Sequence, residues 1–478
     1  MPRLFDDVNN MHHLSSSRSQ NGVRYNKEKL RVYFSVESLA GLGHFNRAGL
    51  LAEAMHAAGM EVTVGSGTFV DEERFFPHAR RVDLPTYIHR DKKERLTYWD
   101  YQTGQKKEVL SGFDMNKWKQ SRAQAHREIV REVKPHIVIV EFWPFSRRNL
   151  THEVEAMRHE AKKHNDRTML ISSVRDVVKG NVRELKGKKV ARQGINDASI
   201  IQKLRKVDGI IIHGDPRLVG LDKSFTELRH IVDKSYYSGY VVAAIPERDA
   251  VMPDNERPVL VHVGSGSNGK DFLIATAKAW QHASEELRSR TWHFVTGPRF
   301  PDSGWNSLTN IVRGLGSTHV SEEGVPYLPA QGQEPPQFVI ERYRQDLVPL
   351  IVNSAVSVSY AGYNTTQEVL ASGVHALLVP KLKCRTEGGV WFDPEQAHRL
   401  DVLNSENLAH TLKAKDAIKP HKLATAIDRA YQILPASTKP IDFNGASKTA
   451  ALIENLYHLH CHKPQPVEKL AFSVTANM

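Results

Sequence analysis

Residues 356–380, VSVSYAGYNTTQEVLASGVHALLVP, contain a pattern around which the rest of the sequence can be interpreted. Val356 to Tyr360 is rich in β-branched residues, which favours a buried strand. Gly362 follows it and predicts a tight turn. Gly373 predicts the end of a helix, and Ala376 to Val379 predict a second strand. The stretch therefore predicts a strand, a glycine turn, a helix and a returning strand.

The helix inside this stretch carries the first indication of a ligand. Asn364 and Thr365 are residue types that cap helices, and we expect Glu368 in the first helical turn. Unpaired backbone N–H groups at a helix start attract phosphate, and a carboxylate one turn later can accept hydrogen bonds from a ribose. The alternative is an ordinary βαβ unit with a tight turn.

Three segments carry a family resemblance. They are Gly362-Tyr-Asn-Thr-Thr-Gln-Glu368, then Gly373-Val-His-Ala-Leu-Leu-Val-Pro380, then Glu395-Gln-Ala-His-Arg-Leu400. Together they resemble the donor site of GT-B glycosyltransferases, of the kind that adds N-acetylglucosamine to the lipid-linked peptidoglycan precursor (the family 28 C-terminal domain type). The sequence is still more similar to a bacterial group of predicted glycosyltransferases related to that enzyme. The resemblance covers roughly residues 30–435.

The resemblance implies an α/β fold of GT-B architecture. Two Rossmann-like domains would face each other across a cleft, and a C-terminal helix would cross back to the first domain. The segments we expect are a flexible leader at 1–27, an acceptor domain at 28–240, a donor domain at 241–440, a closing helix at 441–462 and a flexible tail at 463–478.

Composition fits a globular protein with a basic surface. The chain has 478 residues, is 40% hydrophobic and has a net charge of +11. Its two cysteines cannot form a disulfide framework, which suits a reducing cytoplasm. No apolar run reaches the roughly 18 residues of a membrane span. The positive charge suggests an anionic partner, or it merely keeps the protein soluble.

The first strand and the turn after it predict a catalytic residue. Leu30 to Glu37 is the strand, and a helix is expected from about Asn46 to Ala58. Between them, Gly41 and Gly43 precede His44, at the sheet edge where open α/β sheets bind ligands. In some relatives a histidine at this place deprotonates the acceptor, a task that suits an imidazole. The alternative is a histidine that only hydrogen-bonds the loop or a donor phosphate.

Two further strands end in polar residues on the same domain. A buried strand from Pro135 to Glu141 is followed by two arginines, and the strand Met169 to Ser173 is followed by an arginine and an aspartate. Such loops suit an anionic or sugar ligand, although a packed aromatic corner with surface arginines is an alternative. The predicted acceptor or cleft residues are Gly41, Gly43, Glu141, Arg147, Arg148, Arg175 and Asp176.

The second domain is expected to bind the donor. Val259 to Val263 predicts a strand, and the loop from Gly264 to Lys270 nearly matches a Walker A motif, but Asp271 replaces the Ser or Thr that would ligate Mg²⁺. The same loop fits the glycine-rich turn of GT-B donor domains, and the resemblance puts Tyr343 and Arg344 beside the uracil and an acid–amide pair on the sugar. The predicted donor-binding residues are Gly264, Ser265, Gly266, Ser267, Asn268, Tyr343, Arg344, Gly362, Tyr363, Asn364, Thr365, Glu368, Glu395 and Gln396.

Several regions carry weaker predictions. Residues 301–335 are rich in Gly, Ser and Pro and predict long loops. Residues 441–460 predict an amphipathic helix. The sequence around His458 to His462 could imitate a metal cluster, but histidines at a helix C-terminus are usually solvated there. We expect no metal site.

The predicted function is an inverting, metal-independent glycosyltransferase of cell-envelope, polysaccharide or glycoconjugate synthesis. We expect its donor to be a nucleotide sugar that is UDP-linked, and we expect no separate cofactor. No Asp-x-Asp motif occurs, which argues against the metal-dependent type. The alternatives are a UDP-sugar hydrolase or epimerase, and a non-catalytic protein that binds sugar nucleotides or polysaccharides.

The expected partners follow from this function. They are the nucleotide-sugar donor and a glycan, lipid-linked or small-molecule acceptor. We expect a cytoplasmic protein, and the charge is compatible with peripheral docking on an anionic membrane at its inner face. Nucleic acid is not expected, because no nucleic-acid-binding motif is present.

Overall fold

The computed structural model of the chain contains two large parallel β-sheets flanked by helices. It describes residues 29–38, 43–68, 75–90, 95–100, 105–109, 112–145, 148–178, 182–185, 188–191, 197–264, 266, 269–321, 327, 334–344, 346–386, 389–392, 394–413, 415–435 and 440–462. The predicted leader and tail lie outside these residues, so their flexibility stays a prediction.

The first sheet is entirely parallel. Its strands are β1 (Arg31–Ser35), β2 (Glu61–Ser66), β3 (Arg80–Asp83), β4 (Ile137–Glu141), β5 (Met169–Arg175), β6 (Gly209–His213) and β7 (Ser235–Tyr237). In space they are ordered β7-β6-β5-β4-β1-β2-β3. The order reverses between β1 and β4, and open α/β sheets bind ligands at such a switch point.

The second sheet repeats this plan and is also parallel. Its strands are β8 (Val259–His262), β9 (Trp292–Val295), β10 (Thr318–Ser321), β11 (Phe338–Glu341), β12 (Val356–Tyr360), β13 (Ala376–Val379) and β14 (His410–Thr411). Their spatial order is β10-β11-β9-β8-β12-β13-β14. The switch point therefore lies between β8 and β12, where the glycine-rich loop and the Gly362 turn begin.

Helices cover both faces of both sheets. They are α1 (Gly43–Ala57), α2 (Met115–Val133), α3 (Thr151–His164), α4 (Asp197–Leu204), α5 (Lys270–Ala279), α6 (Glu285–Arg288), α7 (Asp302–Arg313), α8 (Leu347–Val352), α9 (Tyr363–Ser372), α10 (Pro394–Ser405), α11 (Pro420–Gln432) and α12 (Gly445–His462). Apolar side chains from α1 and α12 form a core on one face of the first sheet, and those from α2, α3 and α4 form a core on the other. On the second sheet, α5, α7 and α11 pack against one face, and α8, α9 and α10 pack against the other.

Smaller elements complete the described chain. Three antiparallel strands, His89–Arg90, Leu96–Asp100 and Gln105–Glu108, form a separate sheet. Two hairpins pair Val182–Leu185 with Lys188–Ala191 and Leu382–Thr386 with Gly389–Phe392. Single 3-10 turns occur at Arg148–Leu150, Leu221–Lys223, Thr226–His230, Val232–Lys234, Asp254–Glu256 and Trp280–His282. No helix in the described part of the chain is long and apolar enough to cross a bilayer.

The fold class predicted from the sequence is confirmed. Helix α12 crosses back and buries Ala450 and Ile453 in the same core as Leu51 of α1. The domain boundary predicted at residues 240 and 241 stays a prediction. The two strands predicted around the Gly362 turn have the predicted bounds, and Gly373 ends α9 in a left-handed conformation with φ 65°.

Two local predictions were wrong. The loops predicted for residues 301–335 include α7 and β10, because Trp305, Leu308 and Val312 bury one face of α7 despite Gly304 inside it. Helix α9 begins at Tyr363, so neither Asn364 nor Thr365 caps it and Glu368 is its sixth residue, in the second turn.

Candidate functional site

The carboxyl edges of the two sheets meet at the starts of α1 and α9. Asn364, in the first turn of α9, donates a hydrogen bond from Nδ2 to the carbonyl oxygen of Gly43 at 3.2 Å. Gly43 is the first residue of α1, which begins three residues earlier than predicted. The first-sheet switch point is therefore in direct contact with the helix that follows the Gly362 turn.

His44 and Glu141 form a histidine–carboxylate pair at the first switch point. Glu141 ends β4, and His44 lies in the first turn of the helix that follows the neighbouring strand β1. Nδ1 of His44 lies 2.8 Å from Oε1 of Glu141, and the exposed fractions of the two side chains are 21% and 1%. A neutral imidazole whose Nδ1–H is donated to a carboxylate keeps Nε2 as its proton acceptor. The pair thus has the composition of a general base with an orienting acid.

Arg47 also pairs with the Glu141 carboxylate. Its Nη2 bonds Oε1 of Glu141, and its side chain is almost completely buried. Burial lowers the pKa of Arg47 from its usual value, and Glu141 opposes that change. The sequence analysis did not identify Arg47. A signal was present, because Arg47 is spaced three and four residues from Leu50 and Leu51 on the apolar side of α1, where a buried charge points to a specific partner.

The residue after Glu141 adopts a conformation that few side chains tolerate. Phe142 has φ 56°, in the left-handed region that bulky residues rarely occupy. Backbone outliers of this kind concentrate at functional sites. The guanidinium of Arg175 lies over the Phe142 ring, 4.6 Å from its centroid. Arg175 therefore lies against the residue that follows Glu141, and its predicted role as a cleft residue stays a prediction.

Ion pairs connect this region to α10. Nη1 of Arg175 lies 2.9 Å from Oε1 of Glu395. Arg399, one turn further along α10, pairs with Glu395 at 3.2 Å and with the buried Asp176 at 3.1 Å. Glu395, which the sequence assigned to the donor sugar, is thus engaged by two arginines, and its role in sugar binding stays a prediction. Arg399 was not predicted, because its partner is 223 residues away in the sequence.

Gln396 does not share these ion pairs. Its side-chain oxygen accepts a hydrogen bond from the backbone N–H of Lys381 at 2.7 Å. This bond fixes the start of α10 against the end of β13. The predicted contact of Gln396 with a sugar is not tested by this geometry.

The second switch point has open backbone turns. Gly264 has φ 63°, and an added Cβ at Gly264 or Gly362 would lie within 4 Å of no other heavy atom of the described residues. Gly266 differs, since its Cβ would lie 2.3 Å from the carbonyl oxygen of Thr296. Gly362 occupies the N-cap of α9 without a side-chain cap. Backbone N–H groups at such a helix start can bind an anion.

Glu368 is the ionisable residue that stands apart from the pairs described above. Its side chain is partly buried, and burial raises its pKa to about 7. Among the described residues it has no hydrogen-bond or ion-pair partner. A carboxylate held in this state can gain free energy by accepting hydrogen bonds from a ligand.

The residues predicted beside the nucleotide base lie after β11. Arg344 binds Asp346 at 2.6 Å and lies 3.4 Å from the buried Glu341. Its charge is therefore compensated within the chain. Tyr343 is partly buried at the same strand end. Contact of these two residues with a base stays a prediction.

The structure describes only some of the remaining predicted residues. Tyr363 is buried and Thr365 partly buried in the first turn of α9. Arg148 begins a 3-10 turn, but its side chain is not described. Gly41, Arg147, Ser265, Ser267 and Asn268 lie outside the described residues. In the described ranges no three His, Cys, Asp or Glu side chains gather as metal ligands do.

Comparisons with known proteins agree with this architecture. No protein-family model matches the chain, and no curated protein sequence matches it. Solved structures do match over most of their length. The calicheamicin glycosyltransferase CalG4 has a TM-score of 0.51 and 15% identity, covering 92% of this chain and 100% of CalG4. A UGT transferase from Siraitia grosvenorii in complex with UDP has a TM-score of 0.50 and 14% identity, covering 90% and 100%.

A third solved structure has a different activity. The UDP-GlcNAc 2-epimerase of Methanocaldococcus jannaschii has a TM-score of 0.51 and 9% identity, covering 90% of this chain and 100% of the epimerase. Together with the two seven-stranded sheets and the returning C-terminal helix, these likenesses show that the chain has the GT-B fold. The fold accommodates both sugar transfer and sugar epimerisation in these relatives by structure.

Proposed function

We propose that the protein is a glycosyltransferase that moves a sugar from a UDP-linked donor to a hydroxyl acceptor with inversion and without a metal. The observation that carries the proposal is the His44–Glu141 pair at the first switch point. Through Gly43 this region contacts α9, the helix at the second switch point, which we call the donor helix. A base at the first sheet and an anion site at the second are the two groups that sugar transfer requires. The likeness to a UGT bound to UDP supports a uridine nucleotide.

The first domain would supply the base. Nε2 of His44 takes the proton of the acceptor hydroxyl while the oxygen attacks the anomeric carbon. The carboxylate of Glu141 holds Nδ1–H and stabilises the imidazolium that forms. Because the attacking oxygen arrives from the face opposite the leaving diphosphate, the anomeric configuration inverts.

The second domain would hold the donor. The bond from the anomeric carbon to the diphosphate breaks, and its electrons go to the departing UDP. The N–H groups at the start of α9 and the open backbone at Gly264 would stabilise that charge. Glu368 would accept hydrogen bonds from the ribose, which favours its ionised form. Aromatic or backbone contact with the base would come from Tyr343 and Arg344.

A UDP-sugar hydrolase or epimerase is the second candidate. The likeness to the UDP-GlcNAc 2-epimerase favours it, since that protein shares the fold over 90% of this chain. In a hydrolase, water takes the place of the acceptor. Release of free sugar at full rate without any acceptor would favour hydrolysis, and formation of an isomeric UDP-sugar would favour epimerisation. Tight binding of UDP-sugars without turnover would indicate a non-catalytic binding protein.

The proposed function identifies the acceptor only by its chemical class. We propose a hydroxyl of a glycan, a lipid-linked precursor or a small molecule, in cell-envelope or polysaccharide synthesis. The net charge of +11 supports docking on an anionic membrane, where a lipid-linked acceptor would be found. Co-sedimentation with anionic vesicles at low salt that fades at high salt would support this location.

The experiment that tests the proposal is a ligand screen followed by turnover. Nucleotides and nucleotide sugars are added in a thermal-shift assay, because a bound donor stabilises the fold by mass action. UDP and at least one UDP-sugar should raise the Tm more than the adenine and guanine analogues. Release of UDP in the presence of acceptor pools should continue in EDTA. Absence of any uridine-nucleotide shift, or rescue of an EDTA-treated enzyme by Mg²⁺, would contradict the proposal.

A further inference from the structure

The first turn of α9 contacts the chain on both sides of His44. Asn364 donates to the Gly43 carbonyl, one residue before His44. The guanidinium of Arg47, three residues after His44, lies over the ring of Tyr363 at 5.4 Å from its centroid. Two consecutive residues of α9 therefore contact α1 one residue before and three residues after His44.

Tyr363 is itself held in place. Its side chain is 5% exposed, and its hydroxyl donates to the carbonyl oxygen of His213 at 2.9 Å. The guanidinium of Arg399 also lies over its ring, at 5.6 Å. Burial raises the pKa of Tyr363, so the hydroxyl stays protonated and remains a donor. The ring is therefore a fixed surface and not a mobile contact.

Arg47 connects this ring to the histidine–carboxylate pair. A buried guanidinium needs compensation, and Arg47 finds it at the Glu141 carboxylate and the Tyr363 ring. The same oxygen, Oε1 of Glu141, also lies 2.8 Å from His44 Nδ1. The position of Arg47 consequently affects where Glu141 can place the oxygen that selects the His44 tautomer.

We propose that Tyr363, assisted by Asn364, is a positioning residue that orients the His44–Glu141 pair from the donor helix. The inference rests on the proposed function, because it assigns His44 the role of base. Its consequence is that the base is oriented for proton transfer when α9 is seated against α1. The helix that would hold the diphosphate then also sets the geometry of proton removal.

The tautomer of His44 tests this directly. Side-chain ¹⁵N spectra of histidine-labelled protein distinguish Nδ1–H from Nε2–H, and the His44 signals are those lost in His44→Gln. Wild-type protein should show neutral His44 mainly as Nδ1–H. In Tyr363→Leu the population should move towards Nε2–H, the form that an unrestrained imidazole prefers. Tyr363→Phe keeps the ring under Arg47 and should keep the wild-type tautomer.

Two further variants make the test decisive. Tyr431→Leu removes another ring that lies against a guanidinium, that of Arg290 at 5.1 Å, and should leave His44 unchanged. Asn364→Ala removes the exposed hydrogen bond to Gly43 and should shift part of the His44 population towards Nε2–H. This variant keeps the test available if Tyr363→Leu does not fold. Retention of Nδ1–H in Asn364→Ala and in folded Tyr363→Leu would overturn the proposal. A wild-type spectrum without the Nδ1–H form would overturn it as well.

The outcome is separable from failure of the proposed function. The tautomer is measured without donor, acceptor or turnover. If UDP does not bind the wild-type protein, or if His44→Gln leaves sugar transfer unchanged, the proposed function fails whatever the tautomer shows. If His44→Gln abolishes transfer and Tyr363→Leu leaves the tautomer intact, the function stands and the positioning role of Tyr363 is wrong.

Discussion

The two switch points of this molecule share a topology and differ in chemistry. At the first, between β1 and β4, the carboxylate of Glu141 is shared by His44 and Arg47, and all three lie against other side chains. At the second, between β8 and β12, Gly264 and Gly362 leave open space around the backbone. The carboxyl group nearest to that turn on α9, that of Glu368, has no partner among the described residues, and burial raises its pKa to about 7.

This difference indicates a division of labour. Paired charges hold a group in one orientation before any ligand arrives, which suits a base. Open glycines, a helix start and an unpaired carboxylate suit a site whose partner comes from solution. Under the proposed function, the same βαβ framework would provide a rigidly held base at the first sheet and an open binding surface at the second.

Loss of His44 should have the largest effect. His44→Gln should lower kcat by roughly 10²–10⁴-fold, because it removes general-base catalysis, and donor affinity should stay nearly unchanged. UDP release with an identified acceptor measures the first quantity and calorimetry the second. His78→Gln is a matched control, since His78 also lies 2.7 Å from a glutamate, Glu53, but in an exposed pair. A normal kcat in His44→Gln would contradict the assignment of His44 as the general base.

Glu141→Gln should destabilise the fold strongly. The substitution leaves the buried charge of Arg47 without its carboxylate, and such losses cost about 3–5 kcal/mol. The free energy of unfolding from denaturant titration measures the effect. The control is Glu155→Gln, whose pair with Lys206 is exposed on both sides and should contribute less than about 1 kcal/mol. Equal losses in the two variants would contradict the contrast between buried and exposed pairs.

Glu368 should make UDP binding depend on pH. A ribose prefers the ionised carboxylate as its acceptor, so UDP affinity should rise as the pH rises through about 7. Glu368→Gln should weaken UDP binding by about 1–3 kcal/mol at pH 8 and remove this part of the pH dependence. UDP titrates identically with both proteins, so the difference between their calorimetric profiles isolates Glu368. Parallel profiles would contradict the ribose contact.

The same carboxyl group has a consequence for stability without ligand. Burial holds its folded pKa at about 7, above the ordinary 4.5 of a glutamate, so the folded state binds the proton more tightly. The free energy of unfolding should therefore fall as the pH rises from about 4.5 to 7, and it should level off above 7. Glu368→Gln should lack this decline, which melting curves across that pH range can check.

The smallest effect should come from the open turn. Gly264→Ala places a side chain at φ 63°, which costs about 1–2 kcal/mol although no atom of the described residues clashes with it. Gly373→Ala is its control, because Gly373, at the C-terminal end of α9, has φ 65° and no described atom within 4 Å of an added Cβ. Both variants should lose similar stability, but only Gly264→Ala should weaken UDP binding. Equal UDP affinity in the two variants would contradict a role for the Gly264 loop in UDP binding.

Local sequence pattern was sufficient for the framework of this fold. The β-branched run from Val356 to Tyr360 and the left-handed Gly373 produce short-range signals, and the structure has both as predicted. The prediction failed where the Gly and Pro content of a segment and its apolar spacing indicated different structures. In α7, Pro301 and Gly304 indicated a loop, whereas the spacing of Trp305, Leu308 and Val312 indicated the helix that forms.

The candidate site was less accessible to sequence reasoning. His44 and Glu141 were predicted separately, from glycine spacing and from the end of a strand, but their pairing depends on the adjacency of β1 and β4. The pairs of Arg399 with Asp176 and of Arg175 with Glu395 join residues 223 and 220 positions apart. No local pattern carries such a pairing. For the same reason Asn364 was assigned to a helix cap, whereas it donates a hydrogen bond to Gly43 of α1, 321 residues away in the sequence.

Calorimetric titration of UDP into three proteins tests the division of labour most directly. Wild-type protein and His44→Gln should bind UDP with equal affinity, because the proposed function places His44 on the acceptor side. Glu368→Gln should bind it about 5- to 150-fold more weakly, the equivalent of about 1–3 kcal/mol. The account is contradicted if UDP does not bind the wild-type protein, or if His44→Gln loses as much affinity as Glu368→Gln.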